Sequence, residues 1–276
     1  MNDFKFVSEK YSIKNTQDYR LSIQVNPDGF SLLILDKEGN IITIIHRQTG
    51  SVTNTRQLFK QEEELIKFRE LSFRSSSLLI NSSKVSLAPP EIDVDADMLM
   101  HIQFGSLRKN KLERKATKDK QINYCFVIDQ DLNNLFSDFR NHPVIEHLTG
   151  SFLDYIFSVH KHDKNACYIY TSPSICHFAR LDKTTLQYYN LYRVRNDEEF
   201  LYHFVNTLDK LQLESDSEEV YYSGHIVKTD EIWKIMSGYH KNIITLPNEF
   251  DFELAGDMNE NYFSYLFKTI SENYQW

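Results

Sequence analysis

The sequence predicts an α/β protein assembled from two similar halves. Two stretches, one near the N-terminus and one past the midpoint, each read as three short strands, an amphipathic helix and a further strand. Leu35-Asp36-Lys37 in the first recurs as Leu181-Asp182-Lys183 in the second, and Asn54 and Asn196 stand at matching helix starts, about half a chain apart. The composition, 41% hydrophobic with 13% aromatic residues, supplies enough bulk for two cores. The halves are placed at residues 1–145 and 146–276.

Residues 20–26 alternate Leu21, Ile23 and Val25 with polar neighbours, and Pro27-Asp28-Gly29 turns the chain. Residues 30–36 and 41–47 follow as strands, completing an antiparallel meander. Asn54 opens a helix with Leu58, Phe59, Leu65 and Ile66 on its apolar side. Residues 72–81 and 84–87 read as strands, 91–104 as a helix, and the basic stretch at about 106–120 as a long loop. Residues 124–128 form an apolar run of buried-strand type, and Leu132, Leu135, Phe136 and Phe139 mark a short helix.

In the second half, Ser151 with Asp154 three residues on predicts a helix start. Strands are expected at 167–171, 175–181 and 186–194. Asn196 then caps a helix showing Phe200, Leu201, Phe204, Val205, Leu208 and Leu211 at helical spacing. A strand at 220–223, a helix capped by Thr229 with Ile232, Trp233 and Met236, a strand at 243–246 and a helix at 262–270 complete the half. Tyr188, Tyr189 and Tyr192 place aromatics on both faces of one strand, one face meeting the core beneath a helix.

Composition narrows the function classes. A net charge of −8 disfavours polyanionic partners and anionic membranes. Asp3 and Glu9 stand where a signal peptide would be basic and then apolar, and no run approaches the length of a membrane span. Three cysteines without a C-x-x-C suit a reducing compartment, so the expected location is cytoplasmic. The spacings of His160, His162, Cys167, Cys176 and His177 match no standard zinc pattern, and no metal site is assigned. No nucleophile elbow occurs. The stretch containing Arg108, Lys109, Lys111, Arg114 and Lys115 carries seven cations without interleaved aromatics, which reads first as a solvated loop and only second as a docking arm for RNA or an acidic protein.

The doubled order of elements resembles the actin-like ATPase superfamily, whose halves are ribonuclease H-like and which includes sugar kinases, Hsp70 and pilus-assembly proteins. More specifically, Tyr19-Arg-Leu-Ser-Ile-Gln-Val-Asn-Pro-Asp-Gly-Phe-Ser-Leu-Leu-Ile-Leu-Asp36 and Tyr221-Tyr-Ser-Gly-His-Ile226 resemble an uncharacterised bacterial family of unknown function with that fold. The resemblance spans nearly the whole chain. It implies an Asp-x-Gly followed by small residues at each first hairpin, wrapping phosphates and holding Mg²⁺, and a Gly-Gly pair at the adenosine. At these places stand Asn26, Asp28 and Gly29 around Pro27, then Ser172 and Ser174 around Pro173, and a lone Gly224. Among eight glycines there is no G-x-G, no Gly-Gly and no Gly-Lys-Ser/Thr.

The expectation is therefore a binding or scaffold protein with a degenerate nucleotide site, without catalytic residues or a cofactor, whose partner is another protein or a second copy. The alternatives are a divergent ATP-binding or kinase-like enzyme using the cleft between the halves, or an RNA-associated factor acting through the basic loop.

Overall fold

The computed structural model describes residues 3–49, 57, 60–91, 95–105, 110–119, 121–160, 164–213, 218–226, 228 and 230–246. These divide into two compact units, the first reaching Asp154 and the second beginning at Tyr155.

In the first unit a strand that the sequence reading missed, β1 (Phe4–Val7), precedes a 3₁₀ helix (Ile13–Asp18). The meander follows as β2 (Arg20–Asn26), β3 (Gly29–Leu35) and β4 (Ile41–Gln48). Leu21, Ile23 and Val25 join Phe30, Leu32 and Ile34 in one core because period-two alternation sends them to the same face. The opposite face is buried as well, so Ser22, Gln24, Asn26 and Ser31 are shut away from water with it.

Helix α1 (Glu63–Arg69) follows, and Asn54, Leu58 and Phe59 lie outside the described residues. Leu65 and Phe68 turn to the core, whereas Ile66, expected on the apolar side, is 45% exposed because the three-residue spacing of the other two rotates it outward. Then come β5 (Ser75–Ile80), β6 (Val85–Ala88) and α2 (Ala96–Phe104), whose N-cap Asp95 accepts from the backbone N–H groups of Asp97 (2.9 Å) and Met98 (3.2 Å).

The expected loop at 106–120 needs correction. Residues 106–109 and 120, including Arg108 and Lys109, lie outside the described residues, but Lys111–Ala116 is a strand, β7. It pairs antiparallel with β8 (Asn123–Ile128) at the edge of a three-stranded sheet ordered β6-β8-β7. Leu112 anchors it against the small core of Met100, Cys125 and Val127. Its cations suit an edge strand, where charge discourages further pairing, so high polarity concealed it.

Helix α3 (Gln130–Ser137) leads to a second missed strand, β9 (Val144–His147), and to α4 (Leu148–Val159). The helix start expected at Ser151 is thus wrong. Ser151 lies buried inside α4, and His147 Nδ1 instead accepts the backbone N–H of Thr149 (3.1 Å) at the true start.

The second unit holds β10 (Asn165–Thr171), β11 (Ile175–Asp182), β12 (Thr185–Arg193), α5 (Asp197–Lys210), β13 (Glu219–Gly224), α6 (Glu231–Tyr239) and β14 (Ile243–Thr245). Asn196 caps α5 through its side chain, which accepts from the Glu199 backbone N–H (2.9 Å). Asp230 occupies the N-cap position of α6, while Thr229 and the expected helix at 262–270 lie outside the described residues. Phe200, Phe204 and Leu208 of α5 pack with Ile169, Phe178, Trp233 and Met236. Tyr188 and Tyr192 lean on this core and their hydroxyls share a hydrogen bond (2.8 Å), whereas Tyr189 on the other face bonds His177 Nδ1 (2.8 Å).

The two main sheets follow one scheme. The order is β1-β4-β3-β2-β5-β9 in the first unit and β12-β11-β10-β13-β14 in the second. In each, a meander pairs antiparallel and its first strand pairs parallel with a later one, β2 with β5 and β10 with β13. A mixed α/β architecture results. Among the described residues no helix is long and apolar enough to cross a membrane.

Gly29 ties the first meander together. A Cβ there would overlap the backbone carbonyl oxygen of Arg47 on β4, and backbone cannot yield as a side chain can. Gly29→Ala is expected to destabilise the protein by about 1–3 kcal/mol. Gly238→Ala, within α6 and with open space around it, is expected to stabilise by about 0.5–1 kcal/mol. Urea unfolding of both variants distinguishes close approach from a general intolerance of alanine.

Candidate functional site

In open α/β sheets, ligands bind beyond the carboxyl ends of parallel strands. The positions singled out in the sequence fall there in each unit: Asn26 ends β2, and Ser172 and Gly224 stand at the ends of β10 and β13.

At the first unit's strand ends the polar groups serve one another. Asn26 is buried, and its Oδ1 accepts from Gln24 Nε2 (3.1 Å) and Asn81 Nδ2 (2.9 Å). The Asn81 backbone N–H in turn donates to the Val25 carbonyl (2.8 Å), which fixes the segment after β5 against β2. Pro27 offers no N–H, Gly29 pairs across the hairpin with Asn26, and the Asp28 carbonyl accepts the Thr49 N–H. The three amides thus form a neutral knot at the place where the resemblance implies a metal-holding carboxylate.

Beside it, His147 Nε2 lies 3.0 Å from the Ser82 carbonyl while Nδ1 receives the Thr149 N–H. One nitrogen donates and the other accepts, which is the hydrogen-bonding pattern of neutral imidazole. Burial pushes the His147 pKa down to about 3 against the pull of the Ser82 hydrogen bond. His46, bonded through Nδ1 to Ser31 Oγ (3.0 Å), is pushed down to about 4, again chiefly by burial.

In the second unit the hairpin between β10 and β11 is closed by Ser172. Its N–H donates to the Ile175 carbonyl (2.8 Å) and its Oγ accepts the Ile175 N–H (3.2 Å). Ser174 uses its carbonyl to accept the Val194 N–H (3.0 Å). Gly224 has a φ of 145° and lies against Thr171, leaving no room for a Cβ. Thr171 Oγ1 bonds the Tyr222 hydroxyl, which also accepts the Ile226 N–H (3.0 Å). Loss of hydration lowers the pKa of His225, whose Nδ1 is buried without a partner among the described residues.

The structure brings Asn26, Asp28 and Gly29 onto one hairpin, and Ser172 and Gly224 onto adjoining strand ends. The sequence reading missed Gln24, Asn81, His147 and Tyr222, which complete these networks. Gln24 was the readable one, being a large amide inside an otherwise apolar strand. The cysteines serve the core: Cys167 and Cys176 are buried in it, and burial pushes both thiols up to about 12, far from thiolate chemistry. His160 bonds the Tyr168 hydroxyl (2.8 Å) and the Lys164 carbonyl (3.1 Å), while His162 lies outside the described residues.

The basic strand is partly neutralised. Lys111 pairs with Glu113 and Lys115 with Glu146, both at 2.6 Å, and Arg114 is exposed. Close to Glu146, Asp154 accepts the Lys118 N–H (2.7 Å), yet burial raises its carboxyl to about 6.

Residues 8–243 match the family described as Protein of unknown function (DUF3822). No curated protein matches the sequence. Among solved structures, a Bacteroides thetaiotaomicron protein of unknown function with an actin-like ATPase fold is similar at 13% identity and TM-score 0.73, over 86% of this chain and 93% of that one. A structure described as the PilM-PilN type IV pilus biogenesis complex is similar at 10% identity and TM-score 0.61, over 95% of this chain and 100% of that one. The chain has the actin-like ATPase fold. At such identities the likeness reaches the fold and stops there.

His147 and His46 set a pH dependence. Each folded pKa lies below the unfolded value of about 6.5, so the unfolded chain binds protons first as pH falls. Their stabilisation is complete above about pH 6.5 and is lost on acidification toward pH 3–4, by several kcal/mol in sum. Denaturant unfolding from pH 7 to 4 is expected to show the decline. Ring-proton resonances of His147 and His46 are expected not to titrate between about pH 5 and 8, and a midpoint near 6.5 for either would refute the assignment.

Proposed function

We propose that this chain, which belongs to the family described as Protein of unknown function (DUF3822), is a non-enzymatic binding or scaffold protein that keeps the actin-like ATPase fold without a working nucleotide site. The observation that carries this reading is Asn26. A neutral amide occupies the acid position, and its oxygen is already engaged by Gln24 and Asn81. A phosphoryl-transfer site instead needs a metal ion and backbone N–H groups turned toward the phosphates. In the second hairpin Ser172 spends its N–H and hydroxyl on Ile175, and no carboxylate stands between Thr171 and Ile175.

The partner is another protein, in the cytoplasm, or a second copy of this chain. Support comes from the PilM-PilN complex, in which a protein of similar fold is found with a second protein. The shared strand order of the two sheets supports an origin by duplication, with each copy losing its phosphate loop separately.

Calorimetric titration with Mg-ATP tests the reading. No saturable heat is expected at micromolar nucleotide. Saturable binding with a Kd near or below about 10 μM, roughly −7 kcal/mol, together with phosphate release, would establish the chain as an ATP-using enzyme instead.

A further inference from the structure

Away from the strand ends, the first unit has a cavity of about 640 Å³ between α1 and α3, with Lys60, Ile66, Arg69, Leu135, Ser137 and Asp138 in its lining. That volume falls in the range of small-molecule sites. One of its charged groups, Arg69, stands out. Elsewhere the partly buried arginines are paired, Arg47 with Glu62 and Arg180 with Glu218, both at 2.9 Å. Among the described residues, Arg69 has no hydrogen-bond or ion-pair partner for its side chain, and its Nε is cut off from solvent. Lys60 and Asp138 likewise have no ion-pair partner among the described residues.

The sealed Nε is out of a ligand's reach, but the two terminal nitrogens of the guanidinium remain accessible and unpaired among the described residues, and that planar end is shaped for a carboxylate or phosphate. We propose that this cavity binds a small ligand carrying a carboxylate or phosphate group, seated on Arg69 with Lys60 adding charge. Asp131 and Asp138 border the same space and balance the two cations, so a bare anion is repelled and the ligand also presents hydroxyl or amine donors to these carboxylates. Ile66 and Leu135 supply an apolar wall, and this accounts for an isoleucine turned outward on α1. The site is independent of the nucleotide reading, because it lies on the helices and uses none of the residues at the strand ends.

The whole chain is titrated calorimetrically at constant ionic strength with two probes, glycerol 2-phosphate and gluconate, which share hydroxyls and differ in the anion. At least one is expected to bind saturably with a Kd below about 1 mM. Arg69→Met is expected to weaken that binding about 10-fold or more, as loss of a charged hydrogen bond does, and it should fold, since it removes the unsatisfied donor. Ser137→Trp, at an exposed position, puts a bulky ring into the cavity and is expected to weaken binding while the urea midpoint is kept. The preferred probe tells phosphate from carboxylate. Binding of neither probe with a Kd below about 1 mM, or equal binding by Arg69→Met, overturns the proposal.

Discussion

Strands β2, β3, β10 and β11 are shielded from water on both faces, and every polar side chain on them must find its partner inside the protein. Much of the structure follows from that constraint. Gln24 and Asn81 converge on Asn26, Ser31 meets His46, Thr171 meets Tyr222, and His177 meets Tyr189. Apart from the Gln24–Asn26 bond within β2, these bonds join neighbouring strands or the segment just after one, so polar satisfaction and strand register enforce one another. A ligand at the strand ends would have to displace bonds that the fold already uses.

The meanders and their succeeding helices were legible in the sequence because period-two alternation and sharp turns are local signals. Pro27-Asp28-Gly29 and the Asn196 cap are examples. The missed strands had no such signal. Val144–His147 has four residues, is only partly buried, and becomes a strand by pairing with β5. Lys111–Ala116 reads as solvated chain and is held by β8. In both cases distant pairing overrode local propensity.

The site was half legible. Asn26, Ser172 and Gly224 could be located because a resemblance said where to look. Their partners could not be, since Asn81 lies 55 residues from Asn26 and Tyr222 lies 51 residues from Thr171. Sequence shows that the glycine patterns are missing at these hairpins, but only packing shows which side chains Asn26 and Thr171 meet. The Arg69 cavity was invisible for a similar reason, because its walls come from two helices with four strands and a third helix between them in the chain.

The placement of β9 bears on how the chain acquires its structure during synthesis. β9 forms the far side of the first sheet, yet it is the last strand of that unit to be made. A ribosome releases the meander early, but β5 keeps an open flank until residues 144–147 have emerged to pair with it. His147 then closes the strand, holds Ser82 and starts the next helix in a single step. Non-local parallel pairing of this kind is slow to form, and unpaired edges invite misassembly in the meantime. The first half of the chain therefore spends its nascent life with an exposed seam, and translation speed through that stretch governs how long the seam stays open.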